Sequence, residues 1–176
     1  MIVRKFQPTD LKRVYEIENM SFDQSYGIQI FQQLYEMGIG FLVAEENDYV
    51  IGYVMFWLKY ENQGHIISIA VDKDYRRRGY GTQLLAKAIG ILFLITDTIY
   101  LEVRASNTGA IEFYRNFHFK QDRIVPGYYE SGEDAVILYL KSERGHISGN
   151  YLFVLCNCIC WDVSCNIENG YQHNVE

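Results

Sequence analysis

A short basic stretch containing two glycines follows an apolar run near the middle of the chain. Arg76, Gly79 and Gly81 form the pattern Arg-x-x-Gly-x-Gly, and a segment of helical apolar spacing begins directly after it. Backbone N–H groups at a helix start lack intrahelical partners, and the helix dipole adds partial positive charge there. Glycine lets another group approach the main chain because it has no Cβ. The stretch therefore predicts a phosphate-binding loop.

Two common phosphate loops do not fit this stretch. A Walker loop requires Gly-Lys-Ser/Thr, and the chain contains no such triplet. The dinucleotide-binding fingerprint requires a third glycine, where this chain has Leu84. A solvated arginine run on an ordinary strand–helix turn remains an alternative at this point.

A second motif lies further along the chain. Residues 101–107 read Leu-Glu-Val-Arg-Ala-Ser-Asn, and an aromatic segment follows as far as Phe119. Together the two motifs resemble the GCN5-related N-acetyltransferases (GNAT), most closely the branch that acetylates protein N-termini, which includes the bacterial ribosomal-protein alanine acetyltransferase and archaeal relatives. The resemblance covers about residues 1–141 and leaves 142–176 as a C-terminal extension of unknown role. It implies acetyl-CoA as co-substrate, no metal, and protein or peptide N-termini as partners, with a ribosomal protein among the candidates.

Strand and helix patterns alternate along the chain, which indicates an α/β domain. The resemblance adds a GNAT fold, with a mixed, mostly antiparallel sheet of about seven strands, a central splayed parallel pair and about four flanking helices. The predicted strands are 2–6, 41–45, 50–60, 64–71, 99–103, 119–125 and 135–140, and the predicted helices are 10–19, one that ends near 37, 79–94 and 108–117. Strands 41–45 and 50–60 are expected to form a hairpin joined by Glu46, Asn47 and Asp48, and helix 108–117 is expected to be capped near Asn107.

Length and composition fit one folded domain with a sizeable core. The 176 residues are 49% hydrophobic and carry a net charge of −6. An acidic protein has no overall field for nucleic acid or anionic membranes, so a local basic loop suits a small anionic ligand better. No apolar run approaches the roughly 20 residues that span a bilayer. We therefore expect a cytoplasmic protein, monomeric or weakly dimeric, that binds neither nucleic acid nor membrane.

All four cysteines lie in the last part of the chain, at positions 156, 158, 160 and 165. The segment that carries the motifs therefore has neither a cysteine nucleophile nor a disulfide of its own. The spacing of one residue between neighbouring cysteines does not match common zinc sites. We expect an extra strand, an interface segment or a disordered end in this region, and no metal.

Glu102, Tyr114 and His65 are the catalytic candidates. Glu102 interrupts an apolar strand, so its carboxylate must face solvent, an ion partner or a site. It matches the glutamate proposed as general base in the bacterial relative, although an exposed residue paired with Arg104 or Lys120 is the plainer alternative. His65 competes for the role of base, because its intrinsic pKa near 6.5 suits proton transfer. Tyr114 matches the family tyrosine that reaches the CoA sulfur, and a core tyrosine is its alternative.

The resemblance also assigns binding residues. Those for acetyl-CoA are Ile69, Ala70, Val71, Arg76, Arg77, Arg78, Gly79, Tyr80, Gly81, Thr82, Asn107 and Tyr114. Those for the peptide are Phe22, Tyr26, Tyr128 and Tyr129, on two loops whose aromatic rings can form a wall for its first side chain. Gln24 stands where the main co-translational branch has an acid. This difference argues against that branch's Ser/Ala specificity and leaves the ribosomal-protein and Met-first types open.

The motifs therefore favour an acetyl-CoA-dependent N-terminal acetyltransferase that works by direct attack in a ternary complex. Two other interpretations remain open. One is an acetyltransferase of a small amine such as a polyamine or an antibiotic, and the other is a catalytically silent acyl-CoA-binding module.

Overall fold

A computed structural model describes residues 1–59 and 63–142. They form seven strands and four helices, in agreement with the expected numbers. The cysteine-containing segment lies outside the described residues. The strands are β1 (Ile2–Lys5), β2 (Gly40–Glu46), β3 (Tyr49–Lys59), β4 (Gln63–Val71), β5 (Thr98–Arg104), β6 (Lys120–Val125) and β7 (Ala135–Lys141). The helices are α1 (Leu11–Ser21), α2 (Ile28–Glu36), α3 (Tyr80–Leu92) and α4 (Thr108–Arg115).

One sheet in the order β1-β2-β3-β4-β5-β7-β6 organises the domain. Every neighbouring pair is antiparallel except β4 and β5, which are parallel. This parallel pair is short, because it contains only the three matches Gln63–Thr98, Gly64–Ile99 and His65–Tyr100. Beyond His65 and Tyr100 the two strands continue without pairing to each other. The predicted splayed pair at the centre of the sheet is therefore confirmed.

Helices cover both faces of the sheet. On one face, α3 buries Leu84, Leu85 and Leu92 together with Ile111 of α4. On the other face, Val14 and Ile17 of α1 and Phe31 of α2 pack against Tyr53 of β3. Both clusters are buried apolar groups, whose removal from water is the main force that stabilises a domain of this size. No helix in either described range is long and apolar enough to cross a membrane.

The turns that join these elements have the residue types that their geometry requires. Asn47 and Asp48 both adopt positive φ, 50° and 61°, in the two-residue turn between β2 and β3. Such a primed turn matches the twist of a hairpin and favours these residue types. Asn107 caps α4, because its side chain accepts a hydrogen bond from the Ala110 N–H at 3.0 Å. The predicted hairpin and helix cap are therefore confirmed.

A β-bulge in β4 was not predicted. Met55 of β3 pairs with Ser68, and the next residue, Phe56, pairs with Ile66. Ile67 is the extra residue, and both Ile67 and Ser68 contribute to the α1–α2 face.

Ser68 thereby joins a buried polar network under α1. Glu18, only 1% exposed, accepts hydrogen bonds from the Tyr53 hydroxyl and from the Tyr26 N–H, the latter at 3.1 Å. The Tyr53 hydroxyl also contacts Ser68 Oγ at 2.9 Å. Burial raises the pKa of Glu18 above its ordinary value, although the bonds from Tyr53 and Tyr26 oppose that shift. The network connects the loop before α2 to the central strand.

The raised pKa of Glu18 predicts a pH dependence of stability. A folded-state pKa above the unfolded value means that the folded protein binds the proton more tightly than the unfolded chain does. The stability that Glu18 contributes in this way is therefore complete below the unfolded pKa and is lost as pH rises through the folded pKa. Glu18→Gln removes that titration. Between about pH 4 and neutrality, the free energy of unfolding of Glu18→Gln, measured by urea denaturation, should therefore fall less, or rise more, than that of the wild type.

The control is Glu16→Gln, since Glu16 lies on the same helix with a half-exposed side chain. If Glu18→Gln and Glu16→Gln changed with pH in the same way, burial of Glu18 would not be the cause.

Candidate active site

The parting of β4 and β5 opens the cleft in which most of the candidate residues lie. Ile69, Ala70 and Val71 are on β4 beyond the last parallel pair, so their main chain lines one wall. The facing strand β5 also continues beyond the last parallel pair, and Glu102 lies on this part of it. N–H and C=O groups on the cleft side of β4 have no strand partner on β5, and they are therefore available to a ligand.

The glycine-containing loop leads from β4 into α3 at the same end of the cleft. Gly79 occupies the N-cap position of α3 with φ of 85°, and no side chain caps the helix. Arg77 also has positive φ, 63°. The first-turn N–H groups of α3 are thus presented without a capping side chain, which is the arrangement of an anion site. A Cβ at Gly81 would lie 3.7 Å from Phe113 and from Val71, an ordinary contact distance.

The side chains of the loop have different roles. Arg76 donates hydrogen bonds to the Val71 carbonyl at 2.8 Å and to Ser21 Oγ at 3.1 Å, so it braces the loop against β4 and α1. The Tyr80 hydroxyl donates to Glu46 at 2.6 Å and points into the body of the domain. Arg77 and Arg78 are exposed. For Arg76 and Tyr80 the main chain, more than the side chain, is available to a phosphate.

Glu102 and His65 form a close pair at the point where the strands part. His65 Nε2 lies 2.6 Å from Glu102 Oε2, with the two side chains 14% and 19% exposed. The plainer alternative paired Glu102 with Arg104 or Lys120. In the structure His65 contacts Glu102, and the guanidinium of Arg104 bonds to Gln24 and Ser131. The two competing candidates for the general base are therefore in direct contact.

The contact with Glu102 indicates which nitrogen of His65 carries a proton. Nδ1 is buried and has no hydrogen-bond partner within the described ranges. A carboxylate oxygen can only accept a hydrogen bond, so the Nε2 that faces Glu102 is the nitrogen that carries a proton and donates it to this bond. Glu102 is the acceptor of the pair.

A cavity of about 170 Å³ opens beside this pair. Glu102, Ile137 and Arg123 lie directly opposite one another across β5, β7 and β6, so the three side chains share one face. A register shift between Gln121 and Arg123 brings Arg123 into this row. The lining residues are Gln63, Gly64, His65, Tyr100, Glu102, Arg123 and Ile137.

Three of the four residues predicted to bind the peptide lie near enough to Glu102 to be influenced by its charge. Burial is the main cause that raises the pKa of Tyr26, Tyr128 and Tyr129, and the negative charge of Glu102 raises each further. The pKa of Tyr129 reaches about 12, although the charge of Arg104 opposes the shift. The fourth, Phe22, is 38% exposed at the end of α1. The tyrosines therefore form aromatic walls with protonated hydroxyls near the carboxylate.

Tyr114 lies on the last turn of α4 and packs into the core. Its ring centroid is 5.4 Å from that of Phe113 and 5.7 Å from that of Phe119, and the residue is 8% exposed. Burial raises the pKa of its hydroxyl strongly, and the nearby Tyr129 adds to the shift. The hydroxyl therefore stays protonated at neutral pH and can act only as a proton donor.

Arg104 is the residue whose part in the site the sequence did not reveal. Its guanidinium bonds to Gln24 in loop 22–27 and to Ser131 and Glu133 in loop 126–134, at 2.6, 3.0 and 3.0 Å. It also lies 4.1 Å from the centroid of the Tyr129 ring. The available signal was its position two residues after Glu102, which places both side chains on one face of β5.

Comparison with known proteins agrees with this geometry. The profile of the acetyltransferase (GNAT) family matches residues 11–119. An uncharacterized N-acetyltransferase of Methanocaldococcus jannaschii is 40% identical over 144 residues, which are 80% of this chain and 92% of that protein. An N-alpha-acetyltransferase of Saccharolobus solfataricus is 32% identical over 150 residues, 77% of this chain and 90% of that protein.

A solved structure gives the same result. The ribosomal-protein-S18-alanine N-acetyltransferase of Escherichia coli superposes with a TM-score of 0.73 at 28% identity, over 82% of this chain and 98% of that one. The splayed central pair, the uncapped helix start beside it and the extent of these matches lead to one conclusion: the chain belongs to the GNAT family of acetyltransferases, which use acetyl-CoA.

Proposed function

We propose that this protein transfers the acetyl group of acetyl-CoA to the N-terminal α-amine of proteins. The observation that carries the proposal is the Glu102–His65 pair, held where β4 and β5 part and flanked by the tyrosines of two loops. The archaeal relative named N-alpha-acetyltransferase and the bacterial enzyme named for ribosomal-protein alanine support this substrate class. We also propose a cytoplasmic location, because newly made protein N-termini occur there.

In this proposal, the main chain binds most of the acetyl donor. The cleft-side backbone of Ile69 and Val71 would hold the pantetheine arm, and the first-turn amides of α3 would bind the pyrophosphate. The exposed Arg77 and Arg78 add positive charge at that end. Asn107 caps α4 with its side-chain oxygen, so its amide nitrogen is the group left for the donor.

Glu102 would remove the proton of the attacking amine. A free α-amine has a pKa of about 7.7–8.0, so a useful fraction is neutral before it binds. During transfer an N–C bond forms, the C–S bond of the thioester breaks, and the amine loses one proton. Glu102 takes that proton, and the bond from His65 Nε2 holds the carboxylate in position.

Tyr114 would supply a proton to the departing thiolate. Its strongly raised pKa keeps the hydroxyl protonated, so it is always in the donor state at neutral pH. The described chain before Ser142 contains no cysteine, which agrees with direct attack without a covalent enzyme intermediate.

A panel of peptides tests the substrate class. Peptides that differ only in the first residue, each with and without a blocked α-amine, are incubated with acetyl-CoA, and mass spectrometry locates the acetyl group. Acetylation of free α-amines alone supports the proposal. Acetylation of polyamines or aminoglycosides in preference to every peptide would replace it with the small-amine alternative, and no turnover with any amine would favour the silent module.

The glycine loop predicts how acetyl-CoA affinity changes with side-chain size. Gly81→Ala adds a methyl group in ordinary contact with Phe113 and Val71, so this variant should fold. Gly81→Val places two further carbons near the first-turn amides, where they would compete with the pyrophosphate. Calorimetry should give an affinity that falls modestly for alanine and sharply for valine. Unchanged affinity in a folded valine variant would contradict the assignment of this loop.

Tyr114→Phe should show whether the Tyr114 hydroxyl takes part in the chemistry or the residue only packs in the core. The variant loses one hydroxyl and keeps the ring contacts with Phe113 and Phe119, so thermal stability and acetyl-CoA affinity should survive. Since a positioned general acid typically contributes about 10²–10⁴-fold, kcat should fall within that range. Tyr15→Phe, a half-buried tyrosine on α1, is the matched control and should keep its kcat. A wild-type rate in Tyr114→Phe would remove Tyr114 as the acid.

Glu102→Gln should lose most activity at pH values at which the substrate amine is protonated. The amide keeps the shape of the side chain but cannot accept the proton, so kcat/KM should fall most at low pH and recover partly as bulk base becomes available. The measurement is a pH–rate profile on a peptide of known amine pKa, beside His65→Gln, which keeps the carboxylate. A Glu102→Gln profile parallel to the wild type would transfer the role of base to His65.

A further inference from the structure

We propose that Arg104 is a positioning residue that joins loops 22–27 and 126–134 into one clasp over the peptide site. What the clasp holds rests on the proposed function, whereas the contacts that form it do not. The two loops that Arg104 connects are 80 and about 30 residues away from it in the sequence.

The first part of the clasp is the fork of the guanidinium. Nη2 donates to Gln24 Oε1 at 2.6 Å, and Nη1 donates to Ser131 Oγ and Glu133 Oε2, each at 3.0 Å. A planar guanidinium can satisfy acceptors on two sides at once, which the single ammonium of lysine cannot do with the same geometry. Arg104 therefore sets the distance between one loop and the other.

The second part concerns the aromatic wall. The guanidinium lies over the Tyr129 ring at 4.1 Å, and the Tyr129 ring meets that of Tyr128 edge-on at 5.1 Å. A cation over an aromatic face is attracted to it, more strongly where water is partly excluded. Arg104 is 29% exposed, so this contact is only partly solvated. The residue thus orients the two tyrosines as well as the backbone that carries them.

The third part extends the clasp to the start of α4. Glu133 uses its other oxygen, Oε1, to accept the Ser106 N–H at 3.0 Å. These contacts with Ser106 and Arg104 hold the pKa of Glu133 below its ordinary value, so the carboxylate is charged at neutral pH. Ser106 directly precedes the Asn107 cap of α4, the helix that carries Tyr114. One ion pair therefore links both substrate loops to the segment that presents the candidate acid.

The consequence for catalysis is a fixed groove whose walls do not have to be ordered when a peptide binds. Without Arg104 the two loops would lose their common partner, and peptide binding would have to order them. The effect should appear in the KM for the peptide more than in kcat. The KM for acetyl-CoA should change less than that for the peptide, because the donor is assigned chiefly to β4 and the glycine loop.

The test compares Arg104→Ala and Arg104→Lys with Arg4→Ala. Arg4 is a matched control, since it is also a part-buried arginine that bridges two carboxylates, Asp10 and Glu45, but it lies on the β1 edge of the sheet. Arg104→Ala should raise the peptide KM about tenfold, the size expected for losing a charge-assisted hydrogen bond. Arg104→Lys should be intermediate, and Arg4→Ala should lower the melting temperature without raising the KM.

A coupling measurement distinguishes positioning from general loss of stability. Gln24→Ala and Glu133→Gln alter groups on different loops that both bond to Arg104. Their effects on the peptide KM should therefore be non-additive in the wild type and additive in the Arg104→Ala background. Additive effects in both backgrounds, or equal KM changes for Arg104→Ala and Arg4→Ala, would overturn the proposal.

Hydrogen exchange tests the clasp without any substrate. Amides of loop 126–134 and of Ser106 should exchange faster in Arg104→Ala, whereas the Tyr26 amide, which Glu18 holds, should not. Unchanged exchange would overturn the clasp. Faster exchange with an unchanged peptide KM would overturn its positioning role. Faster exchange in a protein that acetylates no peptide would leave the clasp intact and refute the proposed function alone.

Discussion

The structure depends on an interruption of pairing at the centre of the sheet. β4 and β5 share three residue pairs and then separate, although each strand is held on its other side, β4 by β3 and β5 by β7. The apolar cluster under α3 packs beneath both strands and keeps the sheet continuous across the gap. The unpaired edge of β4 is therefore fixed in place, which lets backbone groups recognise a ligand without local unfolding.

Electrostatics divides this cleft between its two ends. At the α3 end, helix-start amides and exposed arginines make a positive environment in a protein of net charge −6. At the other end, Glu102 is the acceptor of a hydrogen bond from His65, and tyrosine hydroxyls with raised pKa values surround it. Under the proposed function, the phosphates of acetyl-CoA would lie at the positive end and the substrate amine beside Glu102, so that the thioester and the amine would meet where the strands part.

The sequence predicted the elements that depend on local patterns. The hairpin turn at Asn47, the Asn107 cap and the glycine at the start of α3 each have a residue type that the local backbone demands. The mostly antiparallel sheet and its splayed pair were predicted from the family resemblance, because periodicity does not say which strands are neighbours. The bulge in β4 and the contact of Arg104 with Gln24 could not be predicted, since they depend on register and on residues 80 positions apart.

Loop 22–27 is held at two points by different kinds of interaction. The Tyr26 N–H donates to the buried Glu18, and salt screens this contact little. Gln24 accepts from the part-exposed Arg104, and salt weakens the ion pair of Arg104 with Glu133. The two anchors are two residues apart, so the loop between them has little freedom. When the clasp opens, the Gln24 contact is lost but Tyr26 stays bonded to Glu18, so the peptide wall on the α1 side keeps one of its two anchors. Arg104 therefore controls chiefly the position of loop 126–134, and the tyrosines at 128 and 129 are the side chains through which a change in the clasp would reach the substrate.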